Sequence, residues 1–381
     1  VIAAFALLAS MLAPAAQASA CPAPTKGIAV AVPGHPFGVV ATDDNCWAFA
    51  TLDSGKKQGA IAVLHNEGGQ FTLARSVEVK SNLFGAALTH DGKLLAVAAA
   101  DNTAIFDVGR LEQGDGGALL GMLDDGARAG AIYAAIGKDD RVLFVSDEYA
   151  KQISVFDLAK IRSGRYGDDA RIGRVHTAAE PVGLAVSTDG RWLFATNEIG
   201  PASSRHATDC EPETSGQRKH GPGLLVRIDV EKAATDPEHA LADAMPAGCN
   251  PVRVAVAPSG SEVWVTARGG NELLQFHVAE WLAGSGSART QGYAIGPNPI
   301  GVAVRPDGRQ VWAALSNRFG KDRDAKGELA GVTLGADGSV GASMSAPAKG
   351  FPRELTFLHD GRTLVATLFD AQQVEFVPTP N

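Results

Sequence analysis

The sequence predicts an all-β fold: a seven-bladed β-propeller whose ring is closed by an N-terminal strand that completes the last blade. Three observations predict it. One phrase (a short lead-in, an apolar strand, an Asp/Gly turn and a second apolar strand) returns seven times, starting at His35, Asn82, Gly130, Glu180, Asn250, Asn298 and Phe351. Aligned on Gly38, Gly85, Tyr133, Gly183, Arg253, Gly301 and Glu354, the copies lie 47, 48, 50, 70, 48 and 53 residues apart, which is the period of a propeller array. The ends are also complementary. The chain stops after the third strand of the seventh copy, at QQVEFVPTPN, and a spare strand, GIAVAVP from Gly27, precedes the first copy. That strand would cover an edge otherwise left with unpaired N–H and C=O groups.

Each element of the repeat has a physical reason. The first strands (GVVA, GLAV, VAVA, GVAV) are small and apolar, as the crowded strand nearest a propeller axis requires. Asp91-Gly92, Asp189-Gly190, Asp307-Gly308 and Asp360-Gly361 supply turns, because Gly accepts the positive φ of a hairpin. The second strands (WLFAT, VWVT, VLFVS) are bulkier and suit a pleated, packed surface. A third strand, such as ISVFDL or LLVRIDV, and a weaker fourth, such as FTLARSVEV or RIGRVH, complete the blade. Strand polarity then sorts the loops. Lead-ins and second-to-third connections share one face, the channel mouth. Asp-Gly turns and third-to-fourth connections share the other, and the connections from Leu158, Val230 and Val278 read as short helical turns.

Composition bounds the rest. The 381 residues are 45% hydrophobic with 44 Gly, enough for a large core joined by many turns. The net charge is −8 without a Lys/Arg run, which argues against a nucleic-acid partner. Residues 1–20 read as a signal segment ending at an A-x-A site, Ala18-Ser19-Ala20. The stretch from Val1 to Ala13 is short for a membrane span, and no transmembrane segment is expected elsewhere. Residues 21–381 then form a single propeller domain, periplasmic or secreted and monomeric, with 199–223 as an inserted loop on the mouth face. Four cysteines in an exported chain suit two disulfides. Cys210, in the insertion, and Cys249 lie on the mouth face and form the preferred pair. Cys21 and Cys46 belong to the opposite face, where a bond would staple the closing strand to blade 1. Lipidation of Cys21 is the rival reading and would exclude that second bond.

The repeated phrases resemble the YVTN-repeat seven-bladed propellers, which are related to lactonase-type propellers. Pro181 to Thr196, Pro251 to Thr266 and Pro299 to Ala314 carry the resemblance, which spans about residues 27–377. It implies the fold, and a function drawn from lactone hydrolysis, scaffolding or partner binding. Asn197-Glu198 matches an N-E pair that lactonase-type relatives carry after a second strand. Pro352-Arg353 matches part of their P-R-H lead-in, with Glu354 where they have His. Their H-x-H segment is missing, and the comparable stretch here reads Ala131-Ile132-Tyr133-Ala134. These departures weigh against the hydrolase.

Ligands of propellers tend to bind where one loop from every blade converges. The lead-in residues there are His35, Asn82, Gly130, Glu180, Asn250, Asn298 and Phe351. Tyr133, Arg253 and Glu354 replace glycine at the reference position and should project toward the axis. Asp53, Asp147, Glu148, Asn197, Glu198, Arg268, Asn317 and Arg318 follow the second strands. A functional reading makes this a polar pocket, with Arg253, Arg268 and Arg353 holding an oxyanion and Glu180 or Glu198 working with His35 in acid–base chemistry. Asn82, Tyr133, Asn197, Asn250, Asn298 and Glu354 would contact the ligand. A structural reading lets these groups satisfy loops and one another, with Arg253 and Glu354 as an ion pair. His206, Asp209, Cys210 and His220 lack the compact spacing of a zinc site, and no metal or cofactor is expected. The leading function is an exported binding or scaffold protein that recognises a small polar ligand or protein partner at the mouth. The alternative is a lactonase-type hydrolase, similar to 6-phosphogluconolactonase, acting on a lactone or ester. A redox partner subunit is a third reading, without the C-x-x-C-H that would hold its own haem.

Overall fold

The computed structural model describes residues 20–380 apart from 56, 178–179, 201–209, 212, 214–218, 285–287 and 319–326. The signal reading of the first twenty residues, save Ala20, and His206 and Asp209 therefore lie outside the described residues. Seven four-stranded antiparallel sheets make up the chain. Blade 1 runs outward from the axis through His35–Ala41, Trp47–Asp53, Gly59–Glu67 and Gln70–Val79. Blades 2 to 6 repeat this from Ala86, Ala131, Pro181, Pro251 and Pro299. Blade 7 holds Pro352–Phe357, Thr363–Leu368 and Gln373–Pro378, with Ile28–Ala31 added outside. Ile28 lies opposite Phe376 and Ala31 opposite Gln373, so the outer edge of blade 7 is paired.

The core lies between blades rather than at one centre. Phe49, Ile61 and Val63 of blade 1 pack against Leu95, Val97 and Phe106 of blade 2. At the closure, Phe71 stacks on Phe376 with ring centroids 3.8 Å apart. Both expected disulfides are present. Cys21–Cys46 has a Cα separation of 5.0 Å and ties the closing segment to blade 1, and Cys210–Cys249 has a separation of 5.5 Å. Two disulfides suit an oxidising compartment. Among the described residues, no helix is long and apolar enough to cross a membrane.

Short helices fill the third-to-fourth connections: Leu158–Arg162, Val230–Ala233 and Val278–Leu282, as expected, and also Val108–Gln113. The first two and the last begin at an aspartate, Asp157, Asp229 or Asp107, whose carboxylate accepts a backbone N–H of the first turn. This satisfies a donor that has no partner inside the helix.

A bulge interrupts the first strand of six blades at the residue before the reference position, for example between Pro36 and Val39 or Pro251 and Val254. A bulge leaves backbone groups outside the ladder, and the threonine that ends the repeat phrase takes one of them. Thr196 Oγ1 accepts the Gly183 N–H at 2.9 Å and donates to the Val252 carbonyl of the next blade at 2.8 Å. Thr51, Thr266 and Thr367 make the same two bonds, the last joining blade 7 to blade 1 through the Phe37 carbonyl. Each hydroxyl therefore rivets two neighbouring inner strands. Glycine at the reference position permits the close approach: a Cβ on Gly183 would stand 2.5 Å from the Val252 oxygen.

Candidate functional site

The mouth is built from a bonded pair of residues in each of five successive blades. The N–H after the second strand donates to the lead-in carbonyl: Glu148 to Gly130, Glu198 to Glu180, Arg268 to Asn250, Ser316 to Asn298, and Phe369 to Phe351. The lead-in residue adopts positive φ in all five, between 47° and 71°. Asn250 and Asn298 tolerate this conformation well. Glu180 and Phe351 hold it at a cost on the order of 1 kcal/mol, so at these two sites the side chain is kept despite the backbone.

A cavity of about 730 Å³ occupies the mouth. At its inner level the residues just before the reference position form a ring: Phe37, Phe84, Ile132, Val182, Val252, Ile300 and Arg353. Six are apolar and one is a cation. One residue further along the strands, Arg253 of blade 5 donates through Nε to Glu354 of blade 7 at 2.9 Å, both about 95% buried. The Arg253 guanidinium lies 4.5 Å from the Tyr133 ring centroid. Burial first, and then the Glu354 carboxylate, raise the Tyr133 hydroxyl pKa. Side chains from blades 3, 5 and 7 thus meet across the axis, and of the three Arg253, already compensated by Glu354, lines the cavity.

Arg353 is different. Its guanidinium lies 3.7 Å from the Phe37 centroid, with Phe369 and Phe351 at 5.5 and 5.7 Å. Its Nε is buried without a hydrogen-bond partner, and it forms no ion pair among the described residues. Burial, then the Arg253 and Arg318 guanidinium groups, push its pKa down to about 9, which leaves it cationic at neutral pH.

The opposite wall is acidic. Glu148, Glu180, Glu198 and Glu213 all line the cavity. Arg268 neutralises two of them, with Nη2 3.1 Å from Glu198 Oε2 and 2.5 Å from Glu213 Oε2, and Nε 2.7 Å from Glu213 Oε1. Glu148 and Glu180 have no ion-pair partner among the described residues. Burial and the neighbouring Glu198 and Glu180 raise the Glu148 pKa to about 7. Burial and Glu198 raise that of Glu180. Asn250 is 5% exposed, and its Oδ1 has no hydrogen-bond partner among the described residues.

Of the residues singled out from sequence, Glu180, Glu198, Asn250, Arg253, Arg268 and Arg353 line the cavity. His35, Asn82, Tyr133, Asn197, Asn298 and Glu354 do not. The His35 ring stacks on Phe369 at 4.9 Å, and its Nδ1 lies 2.9 Å from the Phe369 carbonyl, so it serves the seam between blades 1 and 7. Asn82 Oδ1 is buried without a partner, as are both amide atoms of the fully buried Asn197. Asp147 is also fully buried, accepting from Ser154 and Gln152 at 2.6 and 3.0 Å. Among the described residues no group of three or more His, Cys, Asp or Glu side chains could hold a metal ion. Sequence reasoning placed Glu148 and Arg318 at the mouth without a role, weighed His220 only as a metal ligand, and missed Tyr149, Glu213, Lys219 and the apolar ring. The ring was legible in principle, since aligning the copies one residue before the reference exposes Arg353 as the lone polar member.

No protein-family model and no curated protein matches the chain. Solved structures do. A chain of the mitotic checkpoint complex superposes with a TM-score of 0.66 at 14% identity, covering 99% of this chain and all of that one. Hydrazine synthase of Kuenenia stuttgartiensis gives 0.64 at 17% identity, covering 91% and 96%. The Cps50 (Swd1) β-propeller domain of Myceliophteria thermophila gives 0.64 at 13%, covering 93% and 99%. At these identities the similarity establishes the seven-bladed propeller fold alone.

Proposed function

We propose that this chain is a non-enzymatic binding protein of an oxidising, extracytoplasmic compartment, taking a small polar ligand with an anionic group into the mouth cavity. Arg353 carries the reading. A buried, uncompensated cation is costly, and this one stands in an otherwise apolar ring of the cavity lining. A carboxylate or phosphate placed on it would supply the missing partner through charge-assisted hydrogen bonds. The two disulfides support the compartment, and the phrase-level resemblance to YVTN-repeat propellers fits a binding role. The lactonase-type alternative is not favoured, because His35 is engaged at the blade 7–1 seam and the acid–base pair expected with Glu180 or Glu198 is not assembled in the cavity.

The test is a thermal-shift screen of small polar compounds on the wild type and Arg353→Met, with a parallel turnover assay on a lactone panel. Stabilising compounds are expected to carry a carboxylate or phosphate and to lose their effect in Arg353→Met. Anion binding that survives the substitution overturns the assignment of the site, and lactone turnover overturns the non-enzymatic reading.

A further inference from the structure

The charges around the cavity are not mixed at random. Glu148 belongs to blade 3 and Glu180 to blade 4, whereas Arg353 belongs to blade 7. In a ring of seven, blades 3 and 4 are the two furthest from blade 7, three steps away in either direction. The unpaired carboxylates therefore stand across the axis from the unpaired guanidinium. The other cavity-lining charges with assigned partners are balanced locally: Arg253 by Glu354, Arg268 by Glu198 and Glu213, and Lys219 by Glu211. Between the two poles lie Phe84, Ile132, Val182, Val252 and Ile300. Tyr149, 71% exposed, lines the cavity next to Glu148 and offers an aromatic face to a cation.

Resting on the reading of the mouth as an anion-binding pocket, we infer that its ligand is a zwitterion: an anionic head on Arg353, an ammonium between Glu148 and Glu180, and an apolar spacer across the ring. An anion alone would satisfy one pole and leave two partly desolvated carboxylates repelling each other. A cation alone would leave Arg353 bare. A molecule with both groups compensates Arg353, Glu148 and Glu180 together, lining charges without an ion pair among the described residues, and a spacer of methylene groups matches the apolar residues between them.

The experiment is calorimetric titration with three matched probes, 6-aminohexanoate, hexanoate and hexylamine, together with shorter and longer members of each series. At the best chain length the ω-amino carboxylate is expected to bind about tenfold or more tightly than either partial analogue. The double variant Glu148→Gln, Glu180→Gln should erase its advantage over hexanoate, while Arg353→Met should erase its advantage over hexylamine. Equal binding of the amino acid and the plain carboxylate, both lost in Arg353→Met, sinks the zwitterion and leaves the anion pocket standing. No binding by any carboxylate of the series sinks both. ω-Aminoalkyl phosphates run alongside decide which anionic head fits better.

Discussion

Arg268 and Arg353 bring the same guanidinium to the same cavity from blades 5 and 7, and their surroundings are opposites. Arg268 is gripped by Glu198 and by Glu213 of the insertion, close to the Cys210–Cys249 bond that anchors that insertion. Arg353 is boxed by three phenylalanine rings and forms no ion pair with a carboxylate among the described residues. The first has its charge answered from within and works as a tether. The second has no counter-charge among the described residues, which is what suits it to the proposed ligand. The chemical type of a residue therefore says little about its task until its neighbours are known.

The largest effect should come from breaking the tether. Arg268→Met leaves Glu198 and Glu213 buried without their cation and should cost about 3–5 kcal/mol of stability in denaturant titration. Arg353→Met orphans no carboxylate and keeps an apolar chain against the rings, so it should cost less than about 1 kcal/mol. Similar losses for the two would erase the distinction. Removing the nearby covalent anchor comes next. Cys210→Ser with Cys249→Ser opens a link across a sequence separation of 39 residues and should cost about 2–4 kcal/mol, read as a lowered melting temperature. No change would mean that the Arg268 clamp holds the insertion unaided.

A further, pH-dependent effect concerns the wall facing Arg353. The Glu148 pKa is raised to about 7 in the fold, against about 4.3 unfolded. Between those values the folded state binds more protons than the unfolded one, so stability falls as pH rises through this window and levels off above it. Glu148→Gln should flatten that decline by on the order of 2 kcal/mol, measured as denaturation midpoints from pH 4 to 8. A decline of unchanged depth would show that Glu148 is not the desolvated group.

Much of the fold was legible because the repeat states it directly. Thr196 and Thr266 recur at one place in the phrase since a hydroxyl there bridges two inner strands. Asp157 and Asp229 precede apolar residues since each caps a short helix. The helix at Val108–Gln113, in the same kind of connection, follows Asp107, which gives the same signal. The site was less legible. Strict alternation along a strand would let either the reference residue or its predecessor face the channel, yet the bulge at Pro251–Val254 turns Val252 and Arg253 inward together. For that reason Arg253 and the ring around Arg353 both line the cavity, and the alignment on the reference position drew notice to the first alone. His35 carried an acid–base role in the sequence reading, but the blade 7–1 seam, formed only when the ring closes, absorbs its ring and its Nδ1.

By itself the sequence determined seven copies of one unit and the strand that seals them, and it favoured the cysteine pairing that the structure contains, because a repeating unit buries its apolar face against its own copy and strand polarity assigns each loop to a face. Only the tertiary structure decided which charges cancel. It selected the Arg253–Glu354 ion pair, 101 residues apart, from the two readings the sequence left open, joined Arg268 to Glu213 across 55 residues, and gave Arg353 no carboxylate among the described residues. Compensation depends on which side chains distant blades bring within a few ångströms, and no local pattern along the chain encodes that distance.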